Sequence, residues 1–126
     1  MRILLLWLAT FLLAWGGTAE ERLRAEAARA AGEGRTLLFY TTQPGCPECR
    51  YMKQVVFTAP EVKTVLDRGF RLLEWNIRET PPPEGLGEFG VPVFYFLDKE
   101  GKPVGEPVVG AMRKELFLRR LEEVRR

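Results

Sequence analysis

Residues 36–57, TLLFYTTQPGCPECRYMKQVVF, constrain the chain more than any other stretch. TLLFYTT (36–42) is apolar, aromatic and β-branched, the make-up of a buried strand. PECRYMKQVVF (47–57) reads as a helix, with Pro47 in a first turn where its missing N–H leaves no bond unmade. The chain's two cysteines, Cys46 and Cys49, stand where the strand gives way to the helix. A close pair in that position can clip a metal, anchor a haem, staple a loop, or cycle between dithiol and disulfide.

The remaining elements can be placed around this junction. Residues 20–33, EERLRAEAARAAGE, are rich in helix formers; Leu23, Ala27, Ala30 and Ala31 make a shallow apolar stripe, and Gly32 and Gly34 end it. Thr58-Ala59-Pro60-Glu61 has the form of a capping box and predicts a helix over PEVKTVLDR, closed by Gly69, with Val62, Val65 and Leu66 inward. FRLLEWNI (70–77) and VFYFL (93–97) read as strands, joined by a Pro/Gly-rich connection with one helical turn around Leu86. DKEG (98–101) is a hairpin-type turn, and KPVGEPVVG (102–110) supplies the return strand, which its prolines place at an edge. MRKELFLRRLEEVRR is an amphipathic helix with Leu116, Phe117, Leu121 and Val124 inward. The order α-β-α-α-β-β-β-α predicts an α/β fold, a small mixed sheet of about four strands with helices on both faces.

The N-terminus, MRILLLWLATFLLAWGGTAEE, has one arginine, an uncharged run from Ile3 to Trp15, and small residues before Glu20. This pattern predicts a signal peptide over residues 1–19, cleaved after Ala19, and a single domain over 20–126. An uncleaved N-terminal membrane anchor is the alternative; the run falls short of the roughly 20 apolar residues that span a bilayer. The expected location is the periplasm or another extracytoplasmic space, where disulfides persist. The net charge is +2 at pH 7, with no basic stripe or acidic block, which argues against nucleic acid and anionic membranes as partners.

Haem attachment requires a histidine directly after the second cysteine, and that position is Arg50. A structural zinc site needs four ligands, usually cysteine or histidine, and the chain has two cysteines and no histidine. Copper(I) between two thiolates stays open, because soft ligands select that ion. So does a structural disulfide, although so short a loop removes little entropy from the unfolded chain. Exchange chemistry fits the context best. At a helix start, unpaired N–H groups and the helix dipole favour a thiolate on Cys46. Cys49 shares a helix face with Met52 and Val56, which turns it toward the core. Cys46 is thus expected to attack a substrate disulfide and Cys49 to resolve the mixed disulfide. Neither a metal nor a prosthetic group is expected.

LLFYTTQPGCPECRYM, followed by FGVPVFYFLDKEGKPV and a terminal amphipathic helix, resembles the thioredoxin fold over essentially all of residues 20–126. The resemblance implies that Pro92, after Val91, is the cis-proline that lies against the active disulfide; read alone, Pro92 is a strand-starting proline. KQVVFTAPEVKTVLDRGFRLLEWNI is similar to exported thioredoxin-like proteins. These include the periplasmic thioredoxins of bacterial sulfur-oxidation clusters and the C-terminal domain of the membrane thiol–disulfide interchange protein. That likeness implies a reductant of disulfides in envelope proteins, a membrane thiol carrier as electron donor, and a monomer.

The chain also departs from the family. Cytosolic thioredoxins carry Trp-Cys-Gly-Pro-Cys where this chain has Gly45-Cys46-Pro47-Glu48-Cys49. Their buried aspartate, six residues before the first cysteine, is here Tyr40, which leaves Glu48 or water as candidate proton acceptors. Pro47, Glu48 and Arg50 are expected to tune the couple. Glu48 beside a nascent thiolate disfavours the charge, and Arg50 favours it. Gln43, Pro44 and Gly45 would form one rim of a substrate groove. Phe89, Gly90 and Val91, ahead of Pro92, would form the other, with backbone around Val91 free to pair with an extended substrate.

Overall fold

A computed structural model describes residues 17–125. Residues 1–16, most of the expected signal peptide, lie outside the described residues. The elements are α1 (Ala19–Gly32), β1 (Thr36–Thr42), α2 (Pro47–Tyr51), a π-helical turn (Met52–Val56), α3 (Pro60–Gly69), β2 (Phe70–Asn76), β3 (Val93–Leu97), β4 (Val108–Val109) and α4 (Lys114–Arg125). Thr18 caps α1, its hydroxyl accepting from the Glu21 N–H at 3.1 Å, so the expected cleavage point after Ala19 falls in the first turn of that helix. Among the described residues, no helix is long and apolar enough to cross a membrane.

The four strands form one mixed sheet in the order β2-β1-β3-β4. β1 runs parallel to β2 with Tyr40 opposite Glu74, and antiparallel to β3 with Thr41 opposite Val93. Strand alternation then divides the core in two. On one face Leu38, Tyr40, Phe70, Phe94 and Phe96 meet Met52, Val56, Val62, Leu66, Phe117 and Leu121 from the helical layer. On the other, Leu37, Phe39, Leu73, Trp75, Val93, Tyr95 and Leu97 meet Leu23, Ala27 and Ala30 of α1. Arg71 of β2 fastens α1 from the rim, pairing with Glu26 at 2.9 Å and Glu33 at 3.2 Å. The expected α/β sheet with helices on both faces is therefore the observed one, a thioredoxin-like fold.

Six local expectations need correction. The helix expected over 47–57 turns π-helical after Tyr51, where the Phe57 N–H donates to the Met52 carbonyl, five residues back. Thr58 does not cap the next helix: its hydroxyl donates backward to the Gln54 carbonyl at 2.6 Å, a carbonyl near the end of the π-helical turn. Ala59 is the N-cap of α3, and Glu61 pairs instead with Lys114 at 3.0 Å. The return strand shrinks to Val108–Val109 and a single bridge between Leu97 and Pro103, since prolines cannot donate to a ladder. Around Leu86 there is a turn closed by the Leu86 N–H on the Pro83 carbonyl, with no helix. Finally, Leu116 is 41% exposed and Leu118 packs on the core in its place, while Ala31 of α1 is also exposed.

Candidate active site

The site stands at the end of β1, where Thr41 and Thr42 are the last buried residues before the chain emerges. Gly45 adopts φ +77°, a conformation that favours glycine, and turns the chain into α2. Cys46 is the N-cap of that helix, and its sulfur accepts from the Cys49 N–H at 3.1 Å. Pro47 occupies the first helical turn, where no N–H is needed. The two cysteines form a disulfide across Cα atoms 5.3 Å apart. Cys46 is partly exposed and Cys49 is 5% exposed, so one sulfur faces solvent and the other the interior.

The loop before β3 is tied to the end of β1. The Val91–Pro92 peptide is cis, Pro92 is buried, and Val91 is half-buried and outside the ladder that begins at Val93. Three hydrogen bonds hold this loop. The Thr41 hydroxyl donates to the Gly90 carbonyl at 2.9 Å and accepts from the Val93 N–H at 3.1 Å. On the far side the Gly110 N–H donates to the Pro92 carbonyl at 2.8 Å. Phe89, 57% exposed, stands at the outer lip of the loop.

A cavity of about 200 Å³ opens beside the disulfide, lined by Cys46, Cys49, Gln43, Gly45, Arg50 and Lys53 among others. Of the residues expected from sequence, Gln43 and Gly45 line this cavity with the cysteines and Pro44 lines an adjoining one of about 410 Å³, while Phe89, Gly90, Val91 and Pro92 line neither. Glu48 does not line either cavity; its Oε2 lies 3.8 Å from where a β-carbon would stand at Gly110. Tyr40, in the position where the resemblance expects an aspartate, is buried. Burial, and after it the Glu74 carboxylate, push its phenol above its ordinary value, so the group stays neutral and offers no base.

Three residues of the site escaped sequence reasoning. Lys53 lines both cavities and pairs with Glu74 at 2.7 Å; Thr41 holds the proline loop. Lys53 stands four residues after Cys49, a spacing that puts both on one helix face, and that was the available signal. Glu74 announces itself only as one of two charges in β2, the other being Arg71. Thr41 shows no local sign, because both its partners lie about fifty residues away by chain.

An exposed and a buried cysteine joined at a helix start are the parts needed for thiol–disulfide exchange. Solved structures with similar folds include a thioredoxin from Thermus thermophilus, 29% identical, covering 79% of this chain and 82% of that one at a TM-score of 0.61. The DsbD C-terminal domain of Neisseria meningitidis matches in its oxidised form at 21% identity, covering 81% of this chain and 92% of that one, TM-score 0.61. Its reduced form matches at 23% identity over 81% and 93%, also at 0.61. No curated protein sequence matches the chain. The family model described as a thioredoxin-like domain matches residues 23–125, and the chain belongs to that family.

Proposed function

We propose that the protein is an extracytoplasmic thiol–disulfide oxidoreductase that reduces disulfides of envelope proteins. The observation that carries this reading is the asymmetry of the pair, with Cys46 reachable and Cys49 sheltered behind it. In the cycle, the Cys46 thiolate attacks one sulfur of a substrate disulfide; that bond breaks, and the other substrate sulfur leaves as a thiolate and takes up a proton. Cys49, deprotonated, then attacks Cys46, forming the intramolecular disulfide and releasing the second substrate thiol. The substrate gains two electrons and the protein loses two. A dithiol carrier in the membrane restores the reduced pair. Backbone near Val91 offers pairing to an extended substrate segment between the two rims, and Phe89 an apolar contact at the lip.

The charges around the site favour a reductant or mild exchanger over a strong oxidant. The charges next to the cysteines, Arg50 and Glu48, are of opposite sign and exposed to screening solvent. A potential nearer to about −270 mV than to about −120 mV is expected. Cys46→Ser should abolish turnover of a model protein disulfide, and Cys49→Ser should accumulate mixed disulfides. Full activity in both variants would sink the reading. Fractionation of cells expressing the full chain tests export: a mature form outside the cytosol supports it, and an unprocessed cytosolic form contradicts it.

A further inference from the structure

We propose that Lys53, held in place by Glu74, is the positioning cation for the resolving thiol Cys49. The proposal deepens the exchange reading and rests on it. Cys49 must become a thiolate to attack the mixed disulfide, yet it is 5% exposed, and burial in apolar surroundings opposes that charge. Sequence reasoning offered Glu48 or water for this step. The Glu48 carboxylate, however, reaches toward Gly110 and does not line the cavity at Cys49. Tyr40 on β1 is a neutral phenol. The charged side chains lining the cavity that contains Cys49 are Arg50 and Lys53, both cations.

Lys53 differs from Arg50 in being anchored. Its ammonium stands 2.7 Å from the Glu74 carboxylate. Glu74 in turn is fixed by strand register, opposite Tyr40 and on the sheet face that packs against Met52 and Val56. A free lysine spreads its charge over many rotamers, whereas one held by a carboxylate keeps it at the cavity mouth. The cavity shared by Lys53 and Glu74 adjoins the one containing Cys49 and has Thr42, Gln43 and Lys53 in common with it. In the step itself the Cys49 proton passes to solvent through this opening, and Lys53 stays protonated. The Cys49 sulfur bonds to Cys46, the bond from Cys46 to the substrate breaks, and the departing substrate thiolate takes up a proton.

The test isolates one thiol. In a Cys46→Ser background, Cys49 is the sole cysteine, and its titration is read by thiolate absorbance and by alkylation rate across pH. Lys53→Met should move the midpoint upward and slow alkylation at neutral pH about 3- to 10-fold, given a half-exposed cation. Lys53→Arg should restore most of the rate. Lys63→Met, which removes an exposed lysine paired with Asp67 on α3, should leave the midpoint in place. An unmoved midpoint in Lys53→Met, or an equal shift in Lys63→Met, overturns the proposal. Circular dichroism establishes that each variant is folded. Turnover of a model disulfide by the unaltered protein is measured separately: its absence defeats the exchange function, whereas the titration judges Lys53 alone.

Discussion

The Thr41 hydroxyl donates to the Gly90 carbonyl at 2.9 Å, and this contact joins the strand that delivers the cysteines to the loop that carries Pro92. The same oxygen accepts from Val93, so one side chain serves a carbonyl and an N–H on either side of the cis bond. The cysteine-bearing turn and the proline loop are therefore both anchored on β1.

Thr41→Val keeps the shape and removes the hydroxyl. Leaving the two backbone groups without that partner should cost about 1–3 kcal/mol. For a domain of this size that corresponds to a fall of roughly 4–20 °C in melting temperature. Turnover should fall as the loop loosens, and Thr41→Ser should recover most of both. Thermal melts and a disulfide-reduction assay read the outcome; an unchanged melt in Thr41→Val would count against the tie.

Phe117 of α4 is fully buried, 5.3 Å from the Phe94 ring and 5.7 Å from the Phe57 ring. Phe117→Ala should destabilise by about 3–5 kcal/mol, through lost burial plus the cavity left behind. Leu116→Ala, one residue away and 41% exposed, should stay within about 0.5 kcal/mol. Paired urea melts test the contrast and with it the corrected facing of α4.

Glu48→Gln tests the direction of electron flow. Its carboxylate reaches toward Gly110 and is exposed, so removing the charge should shift the Cys46–Cys49 potential by less than about 15 mV, half the tenfold step for a two-electron couple. Equilibration with glutathione measures it. A larger shift would support the tuning role expected of Glu48 from the sequence.

Asp98 closes the turn after β3, its Oδ1 accepting from the Lys102 N–H at 3.0 Å and the Glu100 N–H at 2.9 Å. The Lys102 backbone bond first, and the Glu100 bond with it, hold its carboxyl below the ordinary value of 3.8; its own partial desolvation opposes them. The stabilisation is therefore present above about pH 4, the unfolded range, and is lost as pH falls through the lower folded value. Asp98→Asn keeps an acceptor without the charge. Its stability difference from the unaltered protein should be constant near neutrality and shrink below about pH 4. Urea melts across pH measure this difference, which solvent exposure keeps small.

Much of the molecule is legible in its residues alone, because the relevant physics acts within a few positions. The apolar, aromatic and β-branched runs TLLFYTT and VFYFL mark strands that the sheet then buries. Pro47 just after Cys46 marks a helix start, and the spacing to Met52 and Val56 turns Cys49 inward. The turn at Asp98 and the edge position of the proline-rich return strand are local in the same sense.

What the tertiary structure decided lies between residues far apart in sequence. Lys53 meets Glu74 across 21 positions, and Thr41 meets Gly90 across 49. Neither pairing can be read before strand register and the packing of α2 are known. The capping box at Thr58 failed for a related reason: the π-helical turn before it offered a carbonyl to the hydroxyl, and that turn has no mark in propensity. Leu116 and Leu118 were equally apolar, and only the tertiary packing of α4 on the core chose between them. Sequence by itself determined the elements, the cysteine pair and its asymmetry, since these follow from nearest-neighbour chemistry. The charges that face the buried sulfur, and the hydroxyl that holds the proline loop, were set by which strand lies beside which.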